Sequence, residues 1–422
     1  MARYGNVDAG FATLRDALSA RTVPDLKLLA ALFAKELPTR KDDLIAVIEK
    51  ALAGDGLRKM WESMDPLSRA AVAEVTHGKD AFLHMTRFAA KYGEVPRRHR
   101  YNSYQDKNIP WTLLDVVFTP DEMPRDLKER FRAFVPPPMP EKVVTLDALP
   151  EAVPVDEDSE ESEMEPLEVC QTTKGALHDV VAVLRLVDAG KVTVSATTLR
   201  PALGGAKAVL AVLRDGDFVA DKEIKKADDF IRAFAWPLIV QAAGWARLAG
   251  SKLELTKTGR DALARPAHEG IRHAWKRWLD KGLIDEFSRI DAIKGQNRKK
   301  NGGLTRVAPR RAALQKILST CPPEKWIDID EFFRHILASD IEYEVADDPW
   351  SLYITDAQYG NLDYGGGDTW SMVEGRYAMV LLWEYAATLG LLDIAHVPPD
   401  WARDDYMDHW GAEDLECLSR YD

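Results

Sequence analysis

The most chemically suggestive residues in this chain are seven cations in one short stretch: Lys294, Arg298, Lys299, Lys300, Arg306, Arg310 and Arg311. Glycines flank the run and asparagines interrupt it, so it is too polar to pack and carries the charge that phosphates attract. A solvated loop is the competing reading. A second set, Arg97, Arg98 and Arg100, precedes Tyr101 and Tyr104. Cations interleaved with rings suit phosphate attraction plus base stacking, and an exposed basic loop explains them equally. A third set follows Gly250-Ser251, with Lys252 at the turn and Lys257 and Arg260 just beyond. Near the other end Trp350, Trp370, Trp401 and Trp410 stand among carboxylates. Aromatic anchors in an acidic field repel phosphate and suit a protein partner; filling of an irregular core is the alternative.

Catalytic spacing is absent. The sequence contains no HExxH, paired CxxC, GxSxG or GxxxxGK[ST]. Leu203-Gly204-Gly205-Ala206-Lys207 lacks the first glycine and the hydroxyl residue that a phosphate loop uses to hold magnesium. The acidic set His396, Asp400, Asp404, Asp405, Asp408 and His409 has spacing that a divalent ion could use, but acidic helix surfaces produce such clusters routinely. The expectation is a chain that is not an enzyme and has no cofactor or metal.

The elements that must position these groups follow from charge and periodicity. The net charge of -12 is unevenly spread: residues 1–140 carry +3, 141–169 carry -10, 170–320 carry +13 and 321–422 carry -18. Such polarisation assigns different partners to different regions. Five segments result: an N-terminal helical domain over 1–140; an acidic, disordered linker over 141–169; a basic domain over 170–293; a basic loop over 294–308; and an acidic, aromatic-rich domain over 309–422. No apolar run reaches the ~18 residues of a membrane span. The N-terminus lacks a secretory pattern and the three cysteines are isolated, so a cytoplasmic protein with no membrane contact is expected.

Apolar spacing predicts helices over 25–33 and 41–52, broken at Leu37-Pro38-Thr39. In the basic domain it predicts a helix over 174–187, a short strand over 191–194, helices over 206–213 and 230–243, two strands around Gly250, and a helix from His268 onward. The phrase LKLLAALFAKELPTRKDDLIAVIEKAL resembles the SAP motif, a two-helix DNA-binding unit, and that resemblance implies phosphate contact at Thr39, Arg40 and Lys41. The phrase LELTKTGRDALA resembles the wing and last helix of bacterial winged-helix proteins. Residues 310–338 begin in a similar way. The fold class is therefore expected to be mainly α, with tandem winged-helix modules and short β-hairpins. With DLKERFRAFVPPPMP, the arrangement resembles the accessory regions of bacterial helicase-associated proteins of the XPB type. The resemblance implies a non-catalytic adaptor that binds DNA, duplex or single-stranded, through Arg40, Lys41, Arg97, Arg98, Arg100, Lys252, Lys257, Arg260 and the 294–311 cations. It also implies at least one protein partner, such as a helicase or other motor. A pure assembly subunit of a multiprotein complex, without DNA contact, is the rival expectation.

Overall fold

The computed structural model describes residues 10–99, 109–155, 163–219, 224–296, 303–355, 360–362, 369–400, 402–412 and 415–422. At the start of the chain, Thr13 and Thr22 each accept a hydrogen bond from the N–H three residues on, and Asp16 and Asp25 accept one from the cap's own N–H. These two capping boxes open α1 (Leu14–Ser19) and α2 (Val23–Ala31). A link through Pro38 leads to α3 (Lys41–Ala51), α4 (Gly56–Ser63), α5 (Pro66–His77), α6 (Met85–Tyr92), α7 (Leu114–Val117) and α8 (Arg125–Arg132). Leu26, Leu29, Leu44, Ile45 and Ile48 recur at helical spacing and are buried with Phe118 and Phe131 in one core. These helices belong to a first compact unit made of residues 1–144 and 327–340. Its last helix, α15 (Ile329–Ala338), comes from far along the chain. Phe332, Phe333 and Ile336 bury one face of it, and it packs on α6. Arg334 fixes its place by donating to Glu141 at 2.5 Å and to the Ala90 carbonyl at 2.8 Å.

The second unit comprises residues 145–326 and 341–422. It opens with β1 (Ala152–Val155), β2 (Glu163–Pro166) and β3 (Glu168–Cys170), followed by α9 (Thr172–Asp188), α10 (Leu203–Leu210) and α11 (Arg232–Ala242). Next come β4 (Ala246–Ala249), β5 (Lys252–Leu255), α12 (Lys257–Leu263), α13 (Ala267–Asp280), β6 (Ile293–Lys294) and α14 (Val307–Leu318). Beyond α15 lie β7 (Tyr353–Ile354), α16 (Arg376–Val380) and β8 (Ile394–His396). The strands pair antiparallel in four two-stranded sheets, β1 with β2, β3 with β8, β4 with β5 and β6 with β7. Wide π-helical turns at Ser371–Gly375 and Leu381–Ala387 flank α16, and this stretch packs on α11. With 47% helix and 9% strand the chain is mainly helical, as its periodicity predicts.

The organisation differs from the sequence expectation in three places. The acidic segment 141–169 is not a free tether: Leu146 bridges Trp326, β1 pairs with β2, and β3 pairs with β8. Glu163 and Glu165 alternate with Met164 and Pro166, a period of two that reads as a charge run but is also the pattern of a strand. Residues 156–162 of that segment lie outside the described residues. The basic loop 294–308 is already paired at its first residue, Lys294, which sits opposite Tyr353. The acidic block 309–422 is not one domain, since α15 serves the first unit and the rest completes the second. Its apolar faces are shared out to cores built by earlier residues.

Candidate nucleic-acid interface

The residues of the TKTGRD phrase hold α12 against the hairpin that precedes it. Thr256 Oγ1 accepts from Gly259 N–H at 3.1 Å and donates to the Gly244 carbonyl at 2.7 Å. Gly259 lies so close to Trp245 that a Cβ there would sit 2.1 Å from its carbonyl oxygen, so no larger residue fits without moving the backbone. The turn between β4 and β5 has only two residues, and Gly250 takes φ +65 there. Leu253 and Leu255 point into the core while Lys252 and Glu254 face out. A third backbone segment joins this pair: Thr193 bridges Lys252, and Leu253 N–H donates to the Val192 carbonyl at 2.9 Å. Thr193 opposite Lys252 places Lys191, two residues earlier, on the same face. Lys191, Lys252, Lys257 and Arg260 are all exposed, and none forms an ion pair among the described residues. Arg247 shares this face but spends its charge on Glu254, its cross-strand partner, at 3.8 Å. The sequence reading missed Lys191, because only the pairing of 192–194 with β5 brings it there.

The other proposed cations divide sharply. Arg310 and Arg311, expected to touch DNA, are buried. Arg310 donates to both oxygens of Asp285, at 3.1 and 2.5 Å, and lies over the Tyr377 ring. Arg311 donates to Glu286 at 2.7 Å and to the Ile284 carbonyl at 3.0 Å, over the Trp278 ring. Two adjacent arginines thus take two adjacent carboxylates from 25 residues upstream. Arg98 is likewise buried, bonded to Asp121 at 2.6 Å with Asp115 at 3.8 Å. A guanidinium enclosed this way is desolvated and neutralised, so these three leave the candidate set.

At the SAP-like hairpin, Arg40 is exposed at the N-cap of α3, but Lys41 donates to the Ser19 carbonyl at 2.7 Å. Asp42 and Asp43 occupy the first turn of α3, where they complement the helix dipole and repel phosphate. Thr39 and Arg40 therefore face phosphate less favourably than the resemblance implies. Arg97 and Arg306 are exposed, and Lys294 is exposed with its ammonium on the Asp291 carbonyl. Arg100, Arg298, Lys299 and Lys300 lie outside the described residues.

Of the aromatic candidates, Trp350 is 47% and Trp410 50% exposed. The stretch at Gly360 and Asn361 touches both neighbourhoods: the Asn361 amide donates to the Trp350 carbonyl at 2.6 Å, and His409 Nε2 lies 3.1 Å from the Gly360 carbonyl oxygen. Trp370 is half-buried beside Tyr343, and Trp401 lies outside the described residues. No group of three metal-ligating side chains occurs among the described residues. Burial would lift the Asp405 carboxyl, but the Arg376 and Arg403 guanidiniums outweigh it and hold Asp405 below the usual carboxylate range. No described helix is long and apolar enough to cross a membrane. Neither a family model, a curated protein nor a solved structure matches the chain.

Proposed function

We propose that this chain is a non-catalytic adaptor that holds DNA on the basic edge of its second unit and a protein partner at its acidic, aromatic surface. The observation that carries the reading is a set of exposed cations along the hairpin and on the helix that follows it. Lys191, Lys252, Lys257 and Arg260 are exposed and lack ion pairs among the described residues, on a backbone fixed by the Thr256 cap and the Gly259 contact. Cations that satisfy no internal carboxylate remain available to phosphate. The order of α9, the 192–194 segment, α10, α11, β4 and β5 supports a winged-helix module here. Trp350 and Trp410, half exposed near Asp347 and Asp408, suit a partner with cationic and apolar side chains. The resemblance to helicase-associated regions makes a motor protein the partner to try first.

A second reading, an assembly subunit without DNA contact, is favoured by one observation: α11, third helix of the module, is enclosed by protein. Salt separates the two. DNA binding that neutralises several phosphates falls steeply and linearly on a log–log salt plot. Failure of the full chain to shift duplex or single-stranded DNA at low salt, with a partner still captured, would leave the assembly reading.

A further inference from the structure

We infer that the DNA this chain takes is duplex, held through its phosphates alone and without preference for base sequence. The inference rests on the adaptor reading and narrows it. Sequence is read when side chains on an inserted helix or ribbon meet base edges in a groove. The third helix of the module cannot do this. From Arg232 to Val240 every residue of α11 is buried, as is Ala242. The helix packs against α10, α13 and the 381–387 π-helical turn. Gln241, its one polar side chain that is not enclosed, donates to the Leu199 and Pro237 carbonyls, at 3.0 and 2.8 Å. The cover over this helix belongs to the core: Arg289 stacks 3.8 Å from the Phe234 ring centre and donates to the buried Glu384 at 2.7 Å.

The hairpin is no better suited to base readout. Its turn is glycine and serine, and of the exposed cations Lys191, Lys252, Lys257 and Arg260 three are lysines, point charges on flexible stems rather than planar forks. Binding of single strands uses exposed rings on which bases stack. Between residues 172 and 282 the described residues include no exposed Phe, Tyr or Trp, and Trp245, just before β4, is buried and stacked on His273. What this edge offers is charge on a rigid frame, and the target that charge alone selects is the one with the densest phosphates, the duplex.

The test uses the full chain with two duplexes of equal length and unrelated sequence, and one of their single strands. Affinities for the two duplexes are expected to agree within about threefold, since reading even one base pair gives roughly fivefold or more. The single strand is expected to bind more weakly. The charge reversal K252E/K257E/R260E should reduce the log–log salt slope by about 2.7, at ~0.9 for each phosphate no longer neutralised. A tenfold preference between duplexes, or tighter binding of the single strand, overturns the inference while leaving the adaptor reading intact. An unchanged slope in the triple variant shows that binding lies elsewhere and overturns it too. No binding of any probe removes the adaptor reading itself.

Discussion

Arg311 and Arg260 belong to the same basic stretch of sequence and have opposite fates. Arg311 is wholly buried, bonded to Glu286 and laid over an indole; Arg260 stands in solvent with no ion pair among the described residues. The contrast extends across the second unit. Arg232, Arg289, Arg310, Arg311 and Arg376 are buried, and no lysine is buried among the described residues. A guanidinium is weakly hydrated and forks onto a carboxylate, so it survives enclosure with a partner; an ammonium keeps its water. Positive charge in the sequence therefore divides into mortar and surface, and arginine near an unclaimed carboxylate pair is mortar.

The hardest test of that division is to cut the mortar apart. Residues 320–422 expressed alone should fail to fold, with weak helical signal and no cooperative melt, because α15 packs on α6 while Arg289, which holds the buried Glu384, and Arg310, which covers the Tyr377 ring, lie upstream of the cut. Cooperative unfolding of that fragment would show the acidic block to be a domain after all. By the same logic, cleavage at a protease site inserted within residues 156–162 should leave two fragments that co-elute without denaturant. The N-terminal piece keeps β1 and the C-terminal piece keeps α15, each packed into a unit built largely by the other fragment.

A single lesion comes next. R311M leaves Glu286 buried without its cation and should cost about 3–5 kcal/mol of unfolding free energy, read by chemical denaturation. Its DNA affinity under folding conditions should match the parent's, which separates it from the edge variants. A loss under about 1 kcal/mol would mean that water reaches Glu286.

The pH dependence of stability gives a smaller effect. Glu374, in the first π-helical turn, accepts from Val345 N–H at 2.9 Å. Burial, helped by Glu344, pushes its carboxyl up from 4.5 to about 7, although the Val345 and Glu374 N–H groups and Arg310 pull the other way. The folded chain therefore holds this proton more tightly than the unfolded one. Its contribution to stability is complete below about pH 4.5 and is lost as pH rises through about 7. E374Q keeps the acceptor oxygen and removes the titration. It should raise stability by on the order of 1–2 kcal/mol above about pH 8 and change little near about pH 4. An equal effect at both pH values would rule out the titration.

The smallest effect is expected where the surface is free. K252E/K257E/R260E should keep its denaturation midpoint, each site costing within about 0.5 kcal/mol, even as salt-dependent binding falls. A large drop in stability would show these cations to be mortar as well.

Much of the second unit was legible in order and type. Helical spacing marked α9, α10 and α11, and Leu253 and Leu255 alternating with Lys252 and Glu254 marked β5. These signals are local, set by which side chains share a face within a turn or two. The exposure of Lys252, Lys257 and Arg260 was legible, because a two-residue turn and a threonine cap fix what stands beside them. It was misread at Arg98, Arg310 and Arg311, whose spacing carries no trace of carboxylates supplied from other segments.

By itself, then, the sequence determined the local elements, the polarised charge and the absence of familiar catalytic spacing. Tertiary structure alone decided which cations are enclosed, that α11 is buried along nearly its whole length, and that α15 serves a core more than 200 residues away in sequence, as the Arg334 bond to Ala90, 244 residues apart, records. The physical reason is that propensity and periodicity act over one or two turns, whereas desolvation of a charge depends on everything that comes to surround it, from any distance along the chain.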